Sequence, residues 1–161
     1  MAHIHELYDF TVSVYILHPS ESKICLHFHK KLAVWLPPGG HVELNEDPLQ
    51  ALEHELLEEV GFGSQDYEFA KLYDQPHPRN AKTLPLPFHT EVHEFADSGH
   101  KHIDSSYLIK AKIESFNPQA GESKQVEWFS LEDIRNMHKE AKIYDGTLDI
   151  CEWVFNNIHK L

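Results

Sequence analysis

The chain has 161 residues, 41% of them apolar, enough for one core and too apolar for wholesale disorder. Its 26 acidic against 14 basic residues give a formal net charge of -12, the wrong sign for general binding to a nucleic-acid backbone. No apolar run is long enough to span a bilayer, and the first residues lack the basic-then-apolar order of a signal peptide. The expectation is a cytoplasmic protein with no membrane and no nucleic-acid polymer among its partners. An acidic chain binds phosphates only if divalent cations reverse the local field, so clustered carboxylates are the feature to seek.

In chain order, residues 8–17 alternate and are rich in Val, Tyr and Ile, predicting a strand. His18-Pro19-Ser20-Glu21-Ser22 is a turn, and 23–29 the returning strand. Trp35-Leu36-Pro37-Pro38-Gly39-Gly40 reads as a rigid turn ending in glycines, with Trp35 assigned to the core. A helix follows. Asp47 is a good N-cap, Pro48 sits at the first helical position, Gln50 completes a capping box, and Gly61 suits the residue after the end. Leu49, Leu52, Leu56 and Val60 share one face of this helix.

Residues 67–73 predict another strand, and the proline-rich stretch 74–85 a loop. Residues 86–95 and 102–112 alternate around Ala96-Asp97-Ser98-Gly99, a second hairpin. A short strand at 125–129, a helix capped by Ser130 over 131–138, and an amphipathic helix over 147–160 complete the order. The C-terminal helix turns Leu148, Cys151, Val154, Phe155 and Ile158 inward. The pattern is α+β, a mixed sheet with helices packed on it, and a single domain over 1–161. Cys25 and Cys151, far apart in apolar settings, read as buried thiols. The 14 histidines are scattered and read mostly as surface or half-buried residues.

Glu55, Glu58 and Glu59 stand three and four apart, on one face of the helix that starts at Pro48, opposite or beside its leucine stripe. Like charges so spaced destabilise a bare helix by roughly 0.2–0.5 kcal/mol per pair, and they crowd its C-terminal half, where the dipole disfavours anions. A divalent cation removes that conflict, and Mg²⁺ prefers such hard oxygen donors. Glu43 and Glu46 extend the acidic set toward the glycines.

From Gly40 the order is five residues, Glu46, seven residues, then His54-Glu55-Leu56-Leu57-Glu58-Glu59-Val60-Gly61-Phe62. This resembles the Nudix box, with His54 where the family has arginine. The resemblance continues outside the box, in the Pro-Gly-Gly turn, in Glu43 after it, and in Glu127-Trp128-Phe129 before a short helix. It implies the Nudix fold, an α/β/α sandwich with a mixed central sheet. It implies metal binding by Glu55, Glu58 and Glu59, with the Gly39 carbonyl and Glu122 as further ligands, and Mg²⁺ or Mn²⁺ as the ion. Gly40, Glu43, Glu46 and His54 are implied as supporting residues. The implied reaction is attack of water on the diphosphate of a nucleoside diphosphate linked to another group, with Glu55 or a later glutamate such as Glu122 as the base.

Histidine is shorter than arginine and offers two ring nitrogens, so His54 is expected to hydrogen-bond Glu46 or Glu55 and to leave catalysis weakened but alive. The alternative reading is a catalytically weak or silent Nudix-like module that binds a nucleotide and regulates a partner. A Nudix-fold isomerase is disfavoured because neither cysteine has a reactive setting. Pro78, sixteen residues after Phe62, matches an offset found in ADP-ribose-hydrolysing members but reads as a plain loop proline. His100, His102, Asp104 and Tyr107 read as strand polarity, with contact to base or ribose as the competing role. The partner expected is a nucleotide-derived small molecule, and the oligomeric state is open, a homodimer included.

Overall fold

The structure, a computed structural model, describes residues 7–71, 73–94 and 99–158. Among these residues eight strands form one mixed sheet. They are β1 (Tyr8–Leu17), β2 (Ile24–His29), β3 (Val34–Leu36), β4 (Gly39–His41), β5 (Tyr67–Phe69), β6 (His89–Glu94), β7 (Lys101–Ala111) and β8 (Val126–Phe129). The helices are α1 (Pro48–Glu55), α2 (Leu131–Lys139) and α3 (Asp145–Asn157). The sheet runs β3-β2-β1-β7-β5, with β4 on β1, β6 on β7 and β8 on β2. The long central pair, β1 with β7, is parallel, and every other pair is antiparallel.

Strand alternation sorts the core into two layers. Val12, Val14 and Ile16 of β1 pack with Ala51, Leu52 and Leu56 on one side. Tyr15 and Leu17 pack with Ile134 and Met137 of α2 and Cys151 and Val154 of α3 on the other. Helices therefore cover both faces, giving the expected α/β/α sandwich. Both cysteines are buried and free, as expected, and burial raises the pKa of each thiol, Cys151 to about 12. Trp35 packs edge-on against Phe28 and Phe129, in the core role expected of it.

Several boundaries differ from expectation. The strand predicted over 67–73 ends at Phe69. One edge of β7 serves two short strands, β5 at Ile109–Ala111 and β6 at Lys101–Ser106, so the intervening proline-rich segment is left outside the ladder. The expected hairpin of β6 and β7 is present with Glu94 opposite Lys101, but its connecting residues 95–98 lie outside the described residues. The glycines after Pro38 do not form a free turn: Gly39, Gly40 and His41 pair with Ser13, Val12 and Thr11. The C-terminal helix starts at Asp145, two residues early, and the end expected near 160 lies outside the described residues. No described helix is long and apolar enough to cross a membrane.

Candidate active site

The box helix begins as expected. The Asp47 carboxylate accepts from the Leu49 and Gln50 amides, and the Gln50 side chain accepts from the Asp47 amide. Its end is different. Leu56–Val60 is a single π-helical turn, closed by the Gly61 amide donating to the Leu56 carbonyl at 2.9 Å, with Gly61 at φ 82°. Such turns widen a helix and recur at functional positions. The carbonyls of Glu58 and Val60 accept from the amides of Gln119 and Asn117 at 2.8 and 2.9 Å. The 117–122 loop is thereby laid over the helix end, and Lys30 tethers it through the carbonyls of Gly121 and Glu122.

The three box carboxylates have distinct settings. Glu59 is not opposite the leucine stripe; it is 8% exposed, and its Oε2 accepts from the Gly39 amide at 2.8 Å. Burial, then the Glu55 charge, pushes its pKa up to about 9. Glu55 lies against Gly40, where a Cβ would stand 2.0 Å from its Oε1, so only glycine leaves room for this carboxylate. Burial raises Glu55 to about 7, helped by Glu58, Glu122 and Glu46 and opposed by His54. Glu58 is half-exposed and meets His54 Nε2 at 3.2 Å.

His54 bridges two carboxylates. Its Nδ1 lies 3.3 Å from Glu46, and its Nε2 faces Glu58 rather than Glu55. Burial would lower its pKa, but Glu58, Glu55 and Glu46 outweigh that and raise it. Glu46 also accepts from the Glu43 amide at 3.4 Å, which closes the loop before the helix. Glu122 enters the site electrostatically, since its charge acts on both Glu55 and Glu59. His27 approaches Glu59 at 3.6 Å, a neighbour the sequence did not single out; burial and His29 lower it to about 4, so this contact is not an ion pair at neutral pH.

These residues suit a divalent metal by their chemistry. The donors are hard oxygens, and without a cation their burial and mutual repulsion hold protons on Glu55 and Glu59 well above the usual carboxylate range.

The polar group at β7 differs from its expected surface role. His102 and Asp104 are 7% and 6% exposed. Asp104 accepts from Thr11, Ser13 and Ser106, a closed network that holds β1 to β7. His100 and His102 instead meet Asp9 and His41. Asp9 had no motif to mark it; only its pairing opposite His102 reveals it. Burial, then His41, His93 and His100, lowers His102 to about 4. Tyr107 belongs to the core on the α1 side, and Pro78 is an exposed loop residue.

The fold and the carboxylate-bearing box define a hydrolase of the Nudix type, and comparison with known proteins agrees. The NUDIX domain family matches residues 7–149, and the chain belongs to this family. A probable DHNTP pyrophosphohydrolase from Lactococcus lactis subsp. cremoris (strain MG1363) is 31% identical over 136 residues, 84% of this chain and 72% of the relative. A solved NUDIX-family hydrolase from Clostridium perfringens superposes with TM-score 0.74 at 32% identity, covering 93% of this chain and 97% of that one. A C. elegans Ap4A hydrolase shares the fold, with TM-score 0.70 and 16% identity over 97% of this chain and all (100%) of that one. The chain is thus an enzyme of the Nudix pyrophosphohydrolase family, whose members generally use divalent metals.

Proposed function

We propose that this chain acts as one catalytic domain over 1–161 and hydrolyses, with Mg²⁺ or Mn²⁺, the diphosphate of a nucleoside diphosphate linked to another group. The observation that carries this reading is the seating of the box carboxylates: Glu59 on the Gly39 amide, Glu55 against Gly40, and Glu58 on His54. The arginine is replaced, but the acidic face it would organise is retained. Glu55, Glu58 and Glu59 would hold the ion, with the Gly39 carbonyl and Glu122 as further ligands. The bound ion supplies Lewis-acid stabilisation of charge on the phosphoryl oxygens. His54 keeps Glu58 and Glu46 in register, and Glu55 or Glu122 takes the proton from the attacking water. A silent regulatory module would have no need of Glu46, Glu55, Glu58 and Glu59 seated in this arrangement.

The test is a panel of nucleoside diphosphate conjugates, nucleoside triphosphates, Ap4A and DHNTP, with and without MgCl₂ or MnCl₂. DHNTP is included because of the L. lactis relative, and Ap4A because of the shared fold. Metal-dependent release of phosphate, pyrophosphate or a nucleoside monophosphate is expected. Measurable nucleotide binding with no turnover under any metal would replace this reading with the regulatory one. Glu55→Gln and Glu122→Gln separate the two candidate bases, since the true base loses turnover while substrate affinity stays.

A further inference from the structure

A second group of ligand-type side chains lies at the opposite end of β4 from Gly39. Parallel pairing puts Asp9 of β1 beside His102 of β7, and antiparallel pairing puts His93 of β6 on the other side of His102. His41 of β4 stands opposite Thr11, two residues along from Asp9 and on its side of the sheet. One ligand atom each from Asp9, His100 and His102 lies within 4.8 Å of the others. Among the described residues this is the group of three or more such side chains drawn that close. The Asp9 Oδ2 is 3.0 Å from His100 Nε2 and 3.8 Å from His41 Nε2. The His102 ring packs edge-on against those of His41, His93 and His100 at 4.9, 5.2 and 5.2 Å between centroids.

Ordinary core packing does not account for this group. His100 and His102 are buried, and so are Asp9 Oδ2 and His41 Nε2; Asp9 Oδ2 has the His100 ring at ion-pair distance, but among the described residues neither atom makes a well-formed hydrogen bond. Buried polar atoms in that state are costly unless something else satisfies them. The neighbouring Asp104 shows the contrast, since three hydroxyls on the same two strands satisfy it. Among the described residues no hydroxyl or lysine plays that part for Asp9. Two imidazoles and one carboxylate converging on a common point are the donor set of a borderline transition ion. Mg²⁺ and Ca²⁺ prefer all-oxygen sites and are selected against.

We propose that Asp9, His100 and His102, with His41 at the edge, form a second metal site that takes a divalent transition ion of the Zn²⁺ class, separate from the carboxylate face of the box. The site clips β1 to β7 and abuts β4. Because β4 also carries Gly39 and Gly40, an ion here steadies the strand on which Glu59 and Glu55 are seated.

The test uses the full chain, stripped with a chelator and titrated with ZnCl₂ against a chromophoric competitor, alongside long-range ¹H–¹⁵N spectra of the imidazoles. One Zn²⁺ per chain is expected, with ring ¹⁵N shifts at His100 and His102 and no displacement by excess MgCl₂. Glu58→Gln/Glu59→Gln should retain that zinc. Asp9→Asn and His102→Gln should weaken it by more than the roughly 10–100-fold that loss of an outer-shell partner costs. If either variant fails to fold, the ring shifts of the unaltered chain still decide the matter. Absence of stoichiometric zinc overturns the proposal. So does zinc bound with the His100 and His102 resonances unmoved, or lost with the box pair and kept by Asp9→Asn.

Discussion

The two polar clusters on either side of β4 solve the problem of buried charge differently. On the box side, carboxylates are held apart by separate partners: an amide for Glu59, a glycine's open space for Glu55, and an imidazole for Glu58. That side stays partly open to solvent, as a site must be if a phosphate is to enter. On the other side, imidazoles crowd a single carboxylate, with His100 and His102 buried. A three-residue strand with two glycines and a histidine divides them. The lesson is that donor type and access, not acidity alone, separate the proposed catalytic face from the proposed second metal site.

The sharpest break in this comparison is Glu58→Gln with Glu59→Gln. Loss of a single preorganised charge-stabilising group costs roughly 10²–10³ in kcat, so the pair should leave metal-dependent hydrolysis at background in a steady-state assay. Persistent turnover would move catalysis away from the box.

The two glycines should then separate stability from activity. At Gly39, with φ 153°, a Cβ would stand 2.1 Å from the Val12 carbonyl oxygen, which is backbone and cannot step aside. Gly39→Ala is expected to cost about 2–4 kcal/mol in denaturant unfolding. At Gly40 the obstacle is the end of the Glu55 side chain. Gly40→Ala should unfold nearly as the parent does but lose roughly 10- to 100-fold in kcat, because the displaced carboxylate no longer meets its task. Equal effects of the two changes would show that β4 seats the carboxylates less directly than its contacts imply.

Stability against pH probes the carboxylates themselves. Glu55 and Glu59 have folded-state pKa values of about 7 and about 9, above their ordinary value of 4.5. The folded state thus binds more protons than the unfolded one, and metal-free stability should fall as pH rises from about 4.5 toward 9. A drop in melting temperature of at least about 3 °C, the size of a 1 kcal/mol change in a domain of this length, is expected across that range. MgCl₂ should reverse it and Glu59→Gln should flatten it; a flat metal-free profile would contradict the burial argument.

The smallest effect concerns His54. Its pKa is raised in the fold, so its attraction to Glu46 and Glu58 is fully present below the ordinary value of 6.5 and is lost as pH climbs through the raised one. The melting-temperature gap between the parent and His54→Ala should therefore narrow from pH 6 to pH 9. His54→Arg should match the parent rate if the imidazole already does the arginine's job, and exceed it if the shorter side chain weakens catalysis.

Local signals were legible in the sequence, and long-range ones were not. The start of the box helix at Asp47, Pro48 and Gln50 could be read because a cap is decided within four residues. So could Ser130 before α2, and the alternation that sends Val12, Val14 and Ile16 one way and Tyr15 and Leu17 the other. The π turn at Leu56–Val60 could not, because the 117–122 loop takes up the carbonyls of that turn, and this contact spans about sixty positions. Nor could the seat of Glu59 on the Gly39 amide, a contact between a strand and a helix twenty positions apart.

The sequence by itself determined the family, the sandwich of helices around a mixed sheet, and the roll of carboxylates on one helix. Each of these rests on short-range periodicity or on an ordered motif. Only the tertiary structure decided how each carboxylate is seated, that His54 bridges Glu46 and Glu58, and that Asp9 joins His100 and His102. The last of these rests on the parallel pairing of β1 with β7, whose partner residues, such as Asp9 and His102, lie more than ninety positions apart. No local pattern encodes such a register; it follows from which faces the whole chain must bury at once.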